Sequence, residues 1–162
     1  MLRLNHQPIS LTTTMPVTPA QAEALQQAAT RAAENAHAPY SNFRVGAALL
    51  LDDGSTVTGC NVENASYGLT ICAERSAVVR AVSEKGPGIR IRAIAVDNLN
   101  GASSAPCGAC RQVLSEFALD DAIIAFPAVF ATGGRGFESR PFFDLLPFAF
   151  RPLDLGKDLA GK

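Results

Sequence analysis

Two short cysteine clusters constrain the fold of this chain more than any other feature of its sequence. The first is Cys72-Ala73-Glu74-Arg75 and the second is Pro106-Cys107-Gly108-Ala109-Cys110. Three thiols, with a carboxylate two residues from the first of them, can hold a zinc ion with one coordination position open and a proton carrier beside it. A fold that uses this set has to bring together two segments that are 35 residues apart, from Cys72 to Cys107.

Each cluster lies at the predicted start of a helix. After Cys72, apolar residues recur at helical spacing until Gly86-Pro87-Gly88, and a second helix is predicted over 107–117. The unpaired N–H groups and the positive dipole end of a helix start favour a thiolate over a thiol. The two helix starts therefore help to create the metal ligands.

The remaining segments predict an α/β fold. Thr18-Pro19-Ala20-Gln21 supplies an N-cap, a first-turn proline and a capping-box partner for a helix that reaches about Asn35. Strands are predicted over 43–51, 56–62, 89–96 and 122–126, and a short edge strand and a terminal helix over 127–162. This order indicates a three-layer α/β/α sandwich around a mixed five-stranded sheet, with the site where strands end and helices begin.

Length and composition predict one domain. The 162 residues, 48% of them hydrophobic, can build one core, so we expect a flexible N-terminal tail over 1–17 and a single catalytic domain over 18–162. The net charge of −1, with scattered Lys and Arg, gives no basic stripe for a polynucleotide. Because no apolar run is long enough for secretion or a membrane span, we expect a cytoplasmic protein.

The residues beside the thiols suggest how the site could work. Three thiolates leave a zinc site negatively charged, and hydrogen bonds from Arg75 and Arg111 to the sulfurs would withdraw electron density from the metal. Glu74 lies close enough to the first ligand to shuttle protons without binding the metal itself. A CxxC pair alone is also typical of structural zinc sites and redox dithiols, and Cys60 could be the fourth ligand of a structural site.

The residues around both clusters carry a family resemblance. Over 39–117, the chain resembles the small, homotetrameric type of cytidine deaminase, and Cys72 in place of a histidine ligand favours the branch that acts on free nucleosides. The resembling blocks are Tyr40-Ser41-Asn42-Phe43, Val45-Gly46-Ala47-Ala48-Leu49, Gly59-Cys60-Asn61-Val62-Glu63-Asn64-Ala65-Ser66-Tyr67, both cysteine clusters with Arg111-Gln112, and Leu145-Leu146-Pro147.

The resemblance implies a cytidine deaminase-like fold and zinc-dependent deamination of cytidine and deoxycytidine in pyrimidine salvage. It implies one Zn²⁺ per subunit and a homotetramer with shared active sites. The zinc ligands would be Cys72, Cys107 and Cys110, with Glu74 as the proton shuttle. The substrate residues that it implies are Asn61 and Glu63 at the ribose, Asn64 beside them, Phe43 stacked on the pyrimidine, the Ala73 backbone at the base, and Tyr67 and Phe150 in a neighbouring subunit's site.

Three other functions stay open at this point. The zinc motifs also resemble those of enzymes that deaminate an aminoacyl nucleoside antibiotic such as blasticidin S, although Asn61-Val62-Glu63-Asn64 favours cytidine. A binding module braced by zinc would not need Glu74. A redox protein built on Cys107 and Cys110 would need a thioredoxin-like pattern beside them, which the sequence lacks.

Overall fold

The chain alternates helices and strands in the predicted order. The computed structural model describes residues 17–130 and 132–156. Its main elements are α1 (Pro19–Ala33), β1 (Val45–Leu51), β2 (Thr56–Cys60), α2 (Ala73–Lys85), β3 (Ile91–Asn98), α3 (Gly108–Ser115), β4 (Ala118–Val129) and β5 (Arg135–Pro141). Short 3-10 helices cover Tyr67–Leu69, Phe142–Leu145 and Pro152–Leu155.

The five strands form one mixed sheet in the order β2-β1-β3-β4-β5. β3 and β4 run parallel, whereas the other three neighbouring pairs are antiparallel. The parallel pair requires a crossover, which α3 and the loop before it provide. The predicted mixed five-stranded sheet is therefore confirmed.

Helices cover both faces of this sheet, as predicted. Along β1, Ala48 and Leu50 point to one face and pack in a cluster with Leu25 and Ala29 of α1. The alternate β1 side chains point to the other face, in a larger core cluster with residues of α2 and α3. This cluster includes Ala47, Leu49, Ala77, Val78 and Leu114. The fold is thus a three-layer α/β/α sandwich.

Local chemistry explains where the helices begin. The Thr18 side chain accepts a hydrogen bond from the backbone N–H of Gln21, and the Gln21 side chain accepts one from the Thr18 N–H, so the predicted capping box is present. Cys72 and Cys107 are the N-cap residues of α2 and α3, with extended backbones and no side-chain cap bond. Both sulfurs are therefore available for other contacts.

The C-terminal prediction is partly wrong. The edge strand exists as β5, but among residues 142–156 the structure has only the two 3-10 helices, not the predicted terminal α-helix. Proline explains this difference, because Pro141, Pro147 and Pro152 lack the N–H that a continuous helix needs.

The N-terminal prediction lies mostly outside the described residues. Residues 1–16 of the predicted tail fall there, while Val17 is buried against α1 and the sheet. Among residues 17–130 and 132–156, no helix is long and apolar enough to cross a membrane.

Candidate active site

The sulfur atoms of Cys72, Cys107 and Cys110 meet where α2 and α3 begin, within 4.8 Å of one another. Those of Cys107 and Cys110 are 3.5 Å apart. Three soft thiol ligands at helix starts, with no fourth protein ligand among the described residues, fit a zinc ion that keeps an open position. Cys60, the possible fourth ligand, is half-buried at the end of β2 and is not part of the cluster.

The three thiols do not share one affinity for protons. Hydrogen bonds from the Cys110 and Cys107 thiols and from Arg75 lower the pKa of Cys72 below its usual range, although burial opposes the shift. The same contact with Cys72, together with burial and the charge of Glu74, raises the pKa of Cys110. Without metal, the cluster therefore holds a thiolate at Cys72 and a protonated thiol at Cys110.

Glu74 occupies the first turn of α2 and is only 4% exposed. Glu74 lines the same cavity as Cys72 and Cys107 and interacts electrostatically with Cys72 and Cys110, which places its carboxylate beside the sulfur cluster. Burial, and then the negative charge of Cys72, raises the pKa of Glu74 above its ordinary value. A carboxyl group in this position can hold a proton nearer neutrality than a solvent-exposed glutamate can.

A cavity of about 370 Å³ opens in front of Glu74 and the sulfurs. This volume suits a small molecule such as a nucleoside and lies within the usual range for ligand sites. The lining includes seven of the residues that the sequence proposed for the site: Phe43, Asn61, Glu63, Cys72, Ala73, Glu74 and Cys107.

Asn61 and Glu63 line this cavity and also fasten residues 40–45, here called the 40–45 segment. The Asn61 amide donates to the Phe43 carbonyl at 2.9 Å and accepts from the Val45 N–H at 2.8 Å. The Glu63 carboxylate accepts from the backbone N–H of Tyr40 at 2.9 Å and from the Ser41 hydroxyl. The Ser41 hydroxyl bond, with burial opposing it, lowers the pKa of Glu63.

Three of the other proposed residues lie away from the cavity wall. The Asn64 side chain accepts from the Ser66 N–H at 2.8 Å, in the loop before α2. Tyr67 is 76% exposed and packs edge-on against Tyr40, in an adjoining cavity that shares Ser41, Glu63 and Thr70 with the first. Phe150 is 60% exposed and is held through its carbonyl, which accepts from Gln112.

The two arginines beside the cysteines have different partners. Arg75 donates to the Cys72 sulfur at 3.6 Å and to the Thr70 carbonyl at 3.0 Å. Arg111 donates to the carbonyls of Pro106 at 2.7 Å and Leu145 at 2.9 Å. Among the described residues, the hydrogen bond that we predicted from Arg111 to a sulfur is absent, because its guanidinium is engaged by these two carbonyls.

Sequence reasoning gave no role to several residues that the fold brings to the cavity. Ser104 and Ala105 reach it because they directly precede Pro106-Cys107 in the loop after β3. Val96 reaches it from β3, and Thr70 from the loop before Cys72. Nearness in sequence to a proposed ligand was the available signal for Ser104, Ala105 and Thr70.

The fold and the site together define an α/β protein in which two helix starts bring together three sulfurs suited to a metal ion and a buried carboxylate, a combination suited to metal-assisted hydrolysis. Residues 19–126 match the family model described as the cytidine and deoxycytidylate deaminase zinc-binding region. The chain belongs to this family.

Known relatives agree with this assignment. The chain is 48% identical over 130 residues to the cytidine deaminase of Mycobacterium tuberculosis (strain H37Rv), covering 80% of this chain and 90% of the relative. It is 44% identical over 126 residues to the cytidine deaminase of Sporosarcina psychrophila, covering 77% and 88%. The crystal structure of cytidine deaminase from Burkholderia pseudomallei aligns with a TM-score of 0.69 and 46% identity, covering 79% of this chain and 98% of that one.

Proposed function

We propose that this chain is a zinc-dependent hydrolase that converts cytidine and water into uridine and ammonia. The observation that carries the proposal is the burial of Glu74 in a cavity beside three sulfurs that suit zinc. When bound, zinc supplies a Lewis acid that makes water nucleophilic at neutral pH. The relatives named as cytidine deaminases support the same substrate.

Glu74 moves the protons in this reaction. Its raised pKa lets it take a proton from the attacking water and give one to the ring nitrogen next to the reacting carbon. It then carries a proton to the departing amino group, so that ammonia leaves and the uridine carbonyl forms. The proton for the amino group comes from the hydroxyl group that the water has added to the ring carbon, and its loss forms the carbonyl. One carboxyl group serves both transfers because it is a carboxylate again after the first and can accept this second proton.

The residues of the cavity wall hold the nucleoside. The ring of Phe43 offers an apolar face to the pyrimidine, and the backbone of Ala73, at the start of α2, helps to recognise the base. Asn61 and Glu63 meet the ribose hydroxyls with the hydrogen-bonding capacity that remains after they bind the 40–45 segment. Asn64 lies outside the cavity and stabilises the loop before α2 by accepting a hydrogen bond from the Ser66 N–H.

Arg75 offsets the negative charge of the sulfur ligands through its hydrogen bond to Cys72.

We extend the proposal to deoxycytidine, because the reacting amidine is the same in both nucleosides. The biological setting would be pyrimidine salvage in the cytoplasm. Measuring kcat/KM for both nucleosides tests the substrate range.

The proposed assembly is a homotetramer with shared active sites. Tyr67, Phe148 and Phe150 expose 76%, 104% and 60% of their surface, and large exposed aromatic groups favour burial against a neighbouring subunit. Tyr67 and Phe150 would reach the site of that neighbour. Light scattering gives the subunit number, and a Tyr67→Ala variant that loses activity in a tetramer supports sharing.

The decisive experiment combines metal analysis with a cytidine assay on wild type and Glu74→Gln. We expect about one zinc per subunit in both proteins, and turnover at least about 100-fold lower in Glu74→Gln because proton transfer is lost. Loss of absorbance at the cytidine maximum measures the turnover. Glu116→Gln, the same exchange at an exposed position at the end of α3, is the matched control.

Each failure has a distinct meaning. Wild-type protein with full zinc and no turnover of either nucleoside contradicts the proposed function and leaves a zinc-braced binding module. Turnover of an aminoacyl nucleoside but not of cytidine favours the antibiotic-deaminating alternative. An active protein without metal, with Cys107 and Cys110 cycling between thiol and disulfide, favours the redox alternative.

A further inference from the structure

Asn100 is the third side chain that holds the 40–45 segment. Its amide donates to the Asn42 carbonyl at 3.0 Å and accepts from the Arg44 N–H at 3.0 Å. Asn100 lies in the loop between β3 and α3, far in sequence from the segment that it binds. One side chain thus takes the place of a backbone partner for two residues of the segment.

Asn61 makes the matching pair of contacts from the other side. Its amide binds the carbonyl of Phe43 and the N–H of Val45, whereas Asn100 binds the carbonyl of Asn42 and the N–H of Arg44. Residues 43–45 lead into β1, which lies between β2 and β3 in the sheet, and Asn61 directly follows β2 whereas Asn100 is in the loop after β3. The two asparagines therefore grip the segment from both edges, with Phe43 between them.

The loop that carries Asn100 is itself fixed. Asn98, only 6% exposed, accepts from the N–H groups of Asn100 and Ala102, each at 3.0 Å. Its amide also donates to the Ala102 carbonyl at 2.7 Å and to the Ser104 hydroxyl at 2.8 Å. Because Ser104 lines the cavity just before Pro106-Cys107, the loop links the zinc ligands to Asn100.

We propose that Asn100 is a positioning residue of the active site, which fixes the Phe43 wall of the cavity relative to the loop that carries Cys107. The inference rests on the proposed function of the cavity. Asn100 is exposed and is not among the residues that line the cavity, so it acts through the backbone on either side of Phe43. A displaced Phe43 weakens nucleoside binding and leaves the sulfurs and Glu74 in place.

The test is Asn100→Ala in the full-length zinc-loaded protein, compared with Asn35→Ala. Asn35 is an exposed asparagine just after α1 and serves as the matched control. For Asn100→Ala we expect KM for cytidine to rise about tenfold, the effect of losing one or two hydrogen bonds that order the wall, with kcat within about twofold of wild type. Zinc content should not change in either variant.

Amide hydrogen exchange gives a readout that needs no turnover. The Arg44 N–H is bound by Asn100 and should exchange at least about tenfold faster in Asn100→Ala, whereas the Val45 N–H, bound by Asn61, should keep its protection. An unchanged Arg44 exchange rate overturns the proposal, as does an unchanged KM beside faster exchange. If wild type does not deaminate cytidine, the proposed function fails, and the Arg44 exchange rate alone decides whether Asn100 fixes the wall.

Discussion

At the scale of single residues, Arg75 and Arg111 show that two arginines next to metal ligands can have different hydrogen-bond partners and therefore different roles. Both lie close to a cysteine in sequence, but the Arg75 guanidinium reaches the Cys72 sulfur and that of Arg111 reaches two carbonyls. A positive group that donates to a thiolate withdraws electron density from the metal to which the sulfur binds. A group that donates to the carbonyls of Pro106 and Leu145 instead ties the start of α3 to the C-terminal segment.

We therefore expect Arg75→Gln and Arg111→Gln to have different effects. Arg75→Gln should lower cytidine turnover by about 10- to 100-fold and shift its pH profile upward, because less positive charge offsets the sulfurs. Arg111→Gln should leave the pH profile unchanged and lower the free energy of unfolding by roughly 1–2 kcal/mol. Rate measurements against pH and denaturant titrations distinguish the two. Equal pH profiles for Arg75→Gln and wild type would contradict charge compensation by Arg75.

At the scale of elements, the position of α2 depends on its close approach to β2. A Cβ atom at Gly59 of β2 would overlap the backbone nitrogen of Ala77 and lie 2.7 Å from the Ala73 carbonyl oxygen. The fully buried Ala73 and Ala77 keep the matching face of α2 small. This contact sets the depth of the helix start that carries Cys72 and Glu74.

Gly59→Ala should push α2 away from the sheet and damage the site. We expect the free energy of unfolding to fall by roughly 3 kcal/mol, the cost of overpacking a backbone contact, and zinc content to fall with it. Gly46→Ala is the matched control, because a Cβ at Gly46 would overlap the Ala29 carbonyl on α1, across the sheet from the site. It should cost similar stability, yet the folded fraction should keep its zinc. Equal zinc loss in both variants would contradict this role of Gly59.

The elements also show what the sequence can and cannot predict. Capping residues and the helical spacing after Cys72 are local signals, and they placed α1, α2 and the cysteine N-caps correctly. β4 was predicted only over 122–126, because Asp120, Asp121 and Pro127 disfavour a strand, but pairing with β3 and β5 extends it to Ala118–Val129. The contact of Arg111 with Leu145 and that of Asn100 with Arg44 each join residues more than thirty positions apart, which no local pattern specifies.

At the scale of the whole molecule, the metal centre joins two helices that pack on the same face of the sheet. Cys72 begins α2, while Cys107 and Cys110 belong to the start of α3. A ligand that binds the folded chain but not the unfolded one stabilises the fold by mass action. Because the Cys110 pKa is raised, zinc also has to displace a proton from that thiol.

Zinc affinity should therefore depend on pH with a definite sign. The Cys110 thiol is protonated in the metal-free protein at neutral pH, because its pKa is raised. Protons therefore compete with zinc for the Cys110 sulfur, and they compete more strongly as the pH falls. We expect affinity to fall by at least about tenfold for each pH unit between pH 8 and pH 6, the slope for one displaced proton. Competition with a chromogenic chelator measures it. An affinity that stays constant over this range would show that no thiol proton is displaced.

The grip of Asn61, Glu63 and Asn100 on the 40–45 segment has a consequence for how the molecule assembles. These partners lie 16 to 58 residues further along the chain. The 40–45 segment, which forms the Phe43 wall of the cavity, therefore cannot adopt its final conformation before β2 and the loop after β3 have formed. Long loops must close before such bonds can form. Competence to recognise a nucleoside should thus be among the last properties that a newly made chain acquires.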